Sequence, residues 1–195
     1  MGPARVPQPS LERMVPFPAH PVLVGVVPGQ DPLVLRTAAA LARAIGAARL
    51  DAAYVDTSRV VVDELPDGTV RHAPMDPDAE GGDWRAARDL LARQIGEALG
   101  EVPADEGGAA GPGGIPWRLW YLAGRPDRSL THLARATDAS VIVVGARRAR
   151  SARGQIRELV EGSVSVHLAH HQHRPVLTVP TDVVDWKELP ASWTH

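Results

Sequence analysis

The stretch "WRLWYLAGRPDRSLTHLARATDASVIVVG", residues Trp117 to Gly145, decides the fold class of this chain. It begins and ends with apolar runs of the length typical of strands that are buried on both faces. Between them, Leu130, Leu133 and Ala134 recur at the spacing of a helix with one buried side. A strand, a helix and a second strand in this order predict two parallel strands joined by a right-handed crossover.

The same alternation continues on both sides of this unit. Apolar runs of strand length lie at 21–27, 48–55 and 174–180, and segments with a helical period lie at 32–46, 84–99 and 156–168. The residues predicted to form the buried stripe of the first helix are Leu33, Thr37, Leu41 and Ile45. We therefore predict a doubly wound α/β fold, with a five-stranded parallel sheet in the order 3-2-1-4-5 and helices on both faces.

The predicted α/β domain covers residues 21–180, and several segments depart from its repeating pattern. They are a flexible arm at 1–20, a hairpin insertion at 56–82 that turns at Asp67-Gly68, a flexible loop at 101–115 and a tail at 181–195. The tail carries Trp186 and Trp193, which either anchor a partner or fold back over the domain's own apolar surface.

The composition limits the classes of function to be considered. The 195 residues carry a net charge of −2, which gives no bulk attraction to nucleic acid or to an anionic membrane. There is no cysteine, so disulfides, thiolate nucleophiles and thiolate zinc sites are excluded. No run of about 18 apolar residues is present and the N-terminus lacks an apolar signal core, so we predict a cytoplasmic protein.

An arginine-rich junction follows the fourth predicted strand. Arg147, Arg148, Arg150 and Arg153 lie between Gly145 and the last helix. In open α/β sheets, ligands bind beyond the carboxyl ends of the strands, here between the first and fourth strands. The junction is therefore either a phosphate clamp of forked guanidinium donors or an exposed, solvated loop.

Three histidines recur on the last predicted helix. His167, His170 and His171 fall at i, i+3 and i+4, a spacing that would present imidazoles to a metal ion on one face. No carboxylate nearby completes a ligand set, so we predict no metal site. A helix surface with a favourable charge near its C-terminal end explains the cluster instead.

Three pieces of the chain together resemble the universal stress protein family. They are "VLVGVV" before a helix, "LAGRPDRSLTHLARATDASVIVVGAR" and "LVEGSVSVHLAHHQHRPVLTVP". The last piece contains Gly-Ser-Val, a histidine-containing helix and a Pro-Val-Leu strand, which is typical of the C-terminal part of sequences in that family. The resemblance covers Pro21–Val55 and Trp117–Pro180. It implies a doubly wound fold and a dimer, in a family that divides into ATP-binding and non-binding members.

The resemblance also implies where phosphates would be held. ATP-binding members carry a glycine, a second glycine three positions later, and a third glycine about ten positions after that, which is followed by Ser or Thr. Glycine suits these positions because backbone without side chains lets N–H groups approach phosphate oxygens. Gly145 matches the first glycine and Gly162-Ser163 the last pair. Arg148 stands at the second position, in a longer loop where Gly154 is a possible substitute.

A second departure from the ATP-binding pattern lies at the end of the first strand. Binding members usually carry an aspartate there that contacts the nucleoside, and the matching position is Val27, or Pro28 after a shift of one residue. Neither side chain accepts a hydrogen bond. The loss of a charge-assisted hydrogen bond costs about 1.5–3 kcal/mol, or roughly 10- to 100-fold in affinity. The resemblance therefore implies weak binding of ATP or a related nucleotide.

From the resemblance, the candidate nucleotide-binding residues are Gly25, Val26, Val27, Val55, Gly145, Arg147, Arg148, Gly162, Ser163 and Val164. Val55 would offer backbone atoms to the base, while Gly162, Ser163 and loop arginines would hold a phosphate. Alternatively, Gly162 and Ser163 are a close packing point and a helix cap. No catalytic residue is predicted, because no Ser-His-Asp constellation, Walker loop or Rossmann fingerprint is present.

The predicted function is that of a regulatory or binding protein of the universal stress type, without turnover of its own. One alternative is a slow nucleotide hydrolase, in which the arginine loop stabilises phosphoryl charge. Another is a structural dimer that binds no nucleotide and docks protein partners. A homodimer is predicted through the apolar edge strand Pro175–Pro180, which by resemblance pairs antiparallel with its counterpart across a two-fold axis.

Overall fold

The protein folds around a five-stranded parallel sheet with helices on both faces. The structure is a computed structural model and describes residues 14–76, 84–100, 114–146 and 164–181. In chain order the elements are β1 (Val22–Gly25), α1 (Leu33–Ala44), β2 (Leu50–Asp56), β3 (Arg59–Glu64), β4 (Val70–Pro74), α2 (Trp84–Leu99), β5 (Trp117–Ala123), α3 (Pro126–Ala136), β6 (Val141–Ala146), α4 (Val164–His171) and β7 (Val176–Pro180). The sheet order β5-β2-β1-β6-β7 confirms the predicted 3-2-1-4-5 arrangement.

Two separate apolar cores cover the two faces of the sheet. Val22 and Val24 of β1 pack with α1 and α2 on one face, whereas Leu23 packs with α3 and α4 on the other. All three side chains are fully buried. A strand without a polar side requires a helical layer on each face. No helix in the described ranges is long and apolar enough to cross a membrane.

Helix α1 buries a different stripe from the one that the sequence predicts. Its buried residues are Val34, Leu35, Ala38, Ala39 and Ala42. Leu33, predicted to face the core, is 48% exposed, and Thr37, Leu41 and Ile45 are only half-buried. The prediction is wrong because side-chain size does not decide which face is buried here. Small alanine side chains let the helix pack closely on the sheet.

An antiparallel hairpin of β3 and β4 forms a sheet of its own and packs beside the edge strand β5. At its turn, the Asp67 carboxylate accepts hydrogen bonds from the N–H and the hydroxyl of Thr69, at 2.9 and 2.7 Å. The neighbouring Gly68 is buried against Leu133 and Ala136 of α3. The hairpin thus covers one edge of the main sheet, and no described strand lies outside β7 at the other edge.

Gly68→Ala is expected to destabilise the protein more than Gly100→Ala. Both glycines have positive φ, 92° and 95°, so alanine meets a similar backbone penalty of about 1–2 kcal/mol at each position. A Cβ at Gly68 would lie 2.7 Å from Leu133 Cδ1, whereas a Cβ at Gly100 would meet nothing within 4 Å. Urea denaturation should therefore show an additional loss of roughly 1–3 kcal/mol for Gly68→Ala. If both variants lose the same free energy of unfolding, the hairpin tip can move away from α3 at no energetic cost, which would contradict the prediction.

Candidate functional site

The candidate site is the crevice at the carboxyl ends of β1 and β6. These strands are adjacent and parallel, with Val24 opposite Val143. The helix that follows β1, α1, packs on one face of the sheet, and the helix that follows β6, α4, packs on the other. β1 and β6 therefore meet at the switch point of the sheet, and in open α/β sheets the crevice at this point is the usual ligand site.

Gly25, Val26 and Val27 form the β1 side of this crevice. Val26 is buried, and its N–H donates to the carbonyl oxygen of Ala53 in β2 at 2.9 Å. Val27, beyond the end of the strand, is 42% exposed. A Cβ at Gly25 would make only ordinary contacts, the nearest being 3.4 Å to Val144 Cγ1. The β1 side therefore offers apolar surface and backbone, and no charged group.

Two glutamine side chains hold the loop that follows β1. The Gln30 N–H donates to the Val27 carbonyl oxygen at 3.2 Å, and the Val27 N–H donates to Gln30 Oε1 at 3.0 Å. Gln94 of α2 accepts a hydrogen bond from the Gly29 N–H at 3.3 Å. Because these backbone amides already have partners, the loop is ordered before a ligand binds, which reduces the entropic cost of binding.

Gly145 lies on the β6 side of the crevice, where three other segments approach its backbone. A Cβ here would lie 3.0 Å from Gln30 Nε2, 3.2 Å from Val34 Cγ2 and 3.4 Å from Thr181 Cγ2. The first two distances are too short for an undisturbed contact, so close packing alone accounts for glycine at this position. The Gln30 side chain reaches across the crevice and ends beside Gly145.

Val55 turns a backbone amide and carbonyl toward the same crevice. The β1–β2 ladder ends at Gly25 and Ala53, with the bond from Val26 to the Ala53 carbonyl. Backbone groups two residues apart in a strand point to the same side, so the N–H and C=O of Val55 face the β1 side, like those of Ala53. Beyond this ladder, the described part of the chain contains no hydrogen-bond partner for either group of Val55.

A cavity of about 190 Å³ adjoins the crevice on the side of α1 and α2. Val26 and Val27 contribute to its wall, and its polar lining side chains are Gln30, Arg36, Gln94 and Glu97. Ligand pockets for drug-sized molecules usually measure about 300–1,000 Å³. This cavity therefore accommodates only part of a nucleotide, and the remainder of a bound nucleotide would lie in the open crevice.

A second cavity, of about 360 Å³, lies between the hairpin, α3 and α4. In its lining, the Glu64 carboxylate lies 3.5 Å from Arg128 Nε and 3.6 Å from His132 Nδ1, and Asp127 Oδ2 lies 3.5 Å from His167 Nδ1. Each carboxylate thus has a basic neighbour that ties adjacent elements together. No group of three or more histidine and carboxylate side chains within the described segments is arranged to hold a metal ion.

Asp56, the residue after Val55, organises an aromatic cluster at the ends of β2 and β5. Its carboxylate accepts hydrogen bonds from the Tyr121 hydroxyl at 2.5 Å and from the Ser58 hydroxyl at 2.6 Å. Burial alone would raise the pKa of Asp56, but the hydrogen bonds from Ser58 and Tyr121 outweigh it and lower the pKa. Ring centroids lie 5.4–5.7 Å apart in the cluster of Tyr54, His72, Trp84 and Tyr121.

His72 joins the hairpin to this cluster in its neutral form. Arg59 Nε donates a hydrogen bond to His72 Nδ1 at 2.7 Å, so that nitrogen carries no proton. Burial and then the charge of Arg59 lower the pKa of His72, against a smaller opposite effect of Asp56. The hairpin that flanks the end of β2 therefore depends on an uncharged imidazole.

The structure brings five predicted site residues to the crevice or its border: Gly25, Val26, Val27, Val55 and Gly145. Val164 is the first residue of α4 and is 36% exposed. The other predicted site residues, Arg147, Arg148, Gly162 and Ser163, lie outside the described residues, as do Arg150, Arg153, Gly154, Trp186 and Trp193. Sequence reasoning missed Gln30 and Gln94, since neither belongs to a recognisable motif.

The fold and the crevice define a doubly wound α/β protein whose candidate ligand site lies at the switch point of its sheet. The sequence model of the universal stress protein family matches residues 19–180. The chain belongs to the universal stress protein family.

Solved structures share this fold at low sequence identity. A universal stress protein in complex with cAMP is 20% identical, with a TM-score of 0.51 over 85% of this chain and 99% of that chain. A universal stress protein from Archaeoglobus fulgidus is 20% identical, with a TM-score of 0.52 over 83% of this chain and 94% of that chain. No curated protein sequence matches the chain.

The free energy of unfolding is expected to fall as the pH drops below neutrality, in part because of His72. Unfolded His72 takes up a proton near its ordinary pKa of 6.5, whereas the folded residue does so only at a lower pH. One such proton changes the stability by up to about 1.4 kcal/mol per pH unit between these two pKa values. His72→Gln keeps an acceptor for Arg59 and does not titrate. Urea denaturation at several pH values should therefore show a shallower pH dependence for the variant; identical slopes would contradict the assignment.

Proposed function

We propose that the protein is a binding or regulatory member of its family that holds an adenine nucleotide weakly in the switch-point crevice. The observation that carries this proposal is the backbone of Val55, whose N–H and C=O face the crevice beyond the end of the β1–β2 ladder. One donor beside one acceptor is complementary to the Watson–Crick edge of adenine, where a ring nitrogen accepts and the amino group donates.

The rest of the crevice supports a ligand held mainly through backbone and apolar contacts. Val27 offers no polar side-chain atom where binding relatives are expected to present an aspartate, and the adjoining cavity of about 190 Å³ has apolar walls with a few polar groups. The loop after β1 is ordered by its own hydrogen bonds. A fold neighbour bound to cAMP makes adenine nucleotides the first ligands to test.

Calorimetry with ATP and AMP at low salt tests the proposal. Val27→Asp is expected to strengthen nucleotide binding by roughly 10- to 100-fold, because it restores a charge-assisted hydrogen bond to the nucleoside. Val62→Asp, on the exposed face of the hairpin, is the matched control and should leave affinity unchanged. Gly162→Val is expected to abolish binding by blocking the approach of a phosphate.

Absence of binding at millimolar nucleotide and low salt would overturn the proposed function. A different class of function, slow nucleotide hydrolysis, rests on Arg147, Arg148, Arg150 and Arg153. Release of inorganic phosphate from ATP that disappears when these arginines are changed would replace the binding role with a hydrolase. We also propose that the protein resides in the cytoplasm and acts with a protein partner that is still unidentified.

A homodimer through Pro175–Pro180 is part of the proposal, and the outer edge of β7, which no described strand covers, supports it. The Ile142 N–H donates to the Pro175 carbonyl oxygen, so residues 175, 177 and 179 turn their backbone groups toward β6. The backbone N–H of Thr178 therefore points outward, where it can pair with a second copy. Leu177 and Val166 add exposed apolar surface beside this edge, at 37% and 49% exposure.

Thr178→Pro is expected to convert the dimer to a monomer in sedimentation at micromolar concentration. Proline removes the outward N–H, and it is compatible with an edge strand because the bonds to β6 use other residues. Thr178→Ala keeps the N–H and should remain dimeric. A wild-type protein that sediments as a monomer would contradict the dimer, and a dimeric Thr178→Pro variant would place the interface elsewhere.

A further inference from the structure

We propose that Gln30 is the polar side chain that selects the ligand at the end of β1, through its Nε2 amide group, which donates a hydrogen bond to an acceptor oxygen of a bound nucleotide. This inference rests on the proposed function and deepens it. An amide donor at the end of β1 selects an anionic or carbonyl oxygen of the ligand. A carboxylate at the end of β1, as expected in binding relatives, would instead accept a hydrogen bond from a hydroxyl group.

The orientation of the Gln30 amide follows from its neighbour. The Val27 N–H lies 3.0 Å from the Gln30 side-chain oxygen, and an N–H donor requires an acceptor opposite it. The oxygen is therefore committed to the loop, and the NH₂ group must point the other way. The group that Gln30 turns away from the loop is consequently its NH₂ donor.

The NH₂ group points into the crevice. Its nitrogen is the atom nearest to the position that a Cβ would take at Gly145, at 3.0 Å, and so it reaches from the β1 side to the β6 side. Within the described part of the chain, no acceptor is hydrogen-bonded to this nitrogen. Gln30 is half-buried and lines the cavity beside Val26 and Val27, so the donor adjoins the space that a ligand would occupy.

The loop that carries Gln30 is held so that the donor has a defined position. Gln94 anchors Gly29 from α2, and the Asp31 carboxylate accepts a hydrogen bond from the Leu33 N–H at 2.7 Å. A neutral amide at this point attracts a phosphate oxygen, whereas a carboxylate would repel it. The expected preference is therefore for AMP over adenosine, because only AMP brings anionic oxygens to the crevice.

Gln30→Glu is the decisive variant. The carboxylate can still accept the hydrogen bond from Val27, but it has no N–H to donate and it carries a negative charge toward Gly145. We expect its affinity for AMP to fall roughly 10- to 100-fold, while its affinity for adenosine changes little. Gln172→Glu is the matched control, since it makes the same chemical change at the opposite end of the sheet, before β7, where the side-chain oxygen likewise accepts a backbone N–H, that of Arg174. It should keep the preference for AMP.

Calorimetry of the full-length protein with AMP and adenosine separates the two levels of the proposal. If the wild-type protein binds AMP and Gln30→Glu binds it equally well, the role of Gln30 is overturned and the nucleotide site stands. If the wild-type protein binds neither compound, both proposals fail. The chemical shift of the Val27 amide in both glutamate variants reports whether the loop is intact. Gln30→Ala loses the donor without adding charge, and it should also lower AMP affinity.

Discussion

The structure depends on one constraint, the burial of β1 on both of its faces. Val22, Leu23 and Val24 leave no side of this strand for water, so α1 and α2 must cover one face and α3 and α4 the other. The helices that follow β1 and β6 consequently pack on opposite faces of the sheet, which makes the boundary between these strands its switch point. The crevice at the carboxyl ends of these two strands is thus a consequence of packing at the centre of the sheet, and its position does not depend on which ligand it holds.

The sheet and its strand order could be predicted from sequence because doubly buried strands appear as uninterrupted apolar runs, and the runs alternate with segments of helical period. The buried stripe of α1 could not be predicted, because the three alanines that face the sheet are small enough to be overlooked beside Leu33 and Leu41. Helical period identifies a helix, but its buried face depends on how closely it approaches the sheet. That distance is a property of the packed structure.

The candidate site, too, could be predicted from the sequence only in part. Val55 was predicted only from the resemblance, because every residue carries an amide and a carbonyl. The end of the neighbouring β1 ladder is what leaves those of Val55 without a partner in the described part of the chain. Gln30 has no sequence signal because its proposed role arises from its close approach to Gly145, which is 115 positions away in the chain. The resemblance predicts glycine at 145 as part of a phosphate cradle, but close packing alone accounts for it, and only the structure reveals that reason.

The hairpin beside β5 also affects how the protein can assemble. A sheet with two uncovered edges can add one copy after another, because each new copy presents a fresh edge, and the product is a fibre of indefinite length. Here β3 and β4 pack beside the edge strand β5, whereas no described strand lies outside β7, so strand addition would use the β7 edge of each copy. If the proposed dimer forms, growth through the sheet would end after one symmetric pairing, because the hairpin obstructs strand addition at the second edge of each copy.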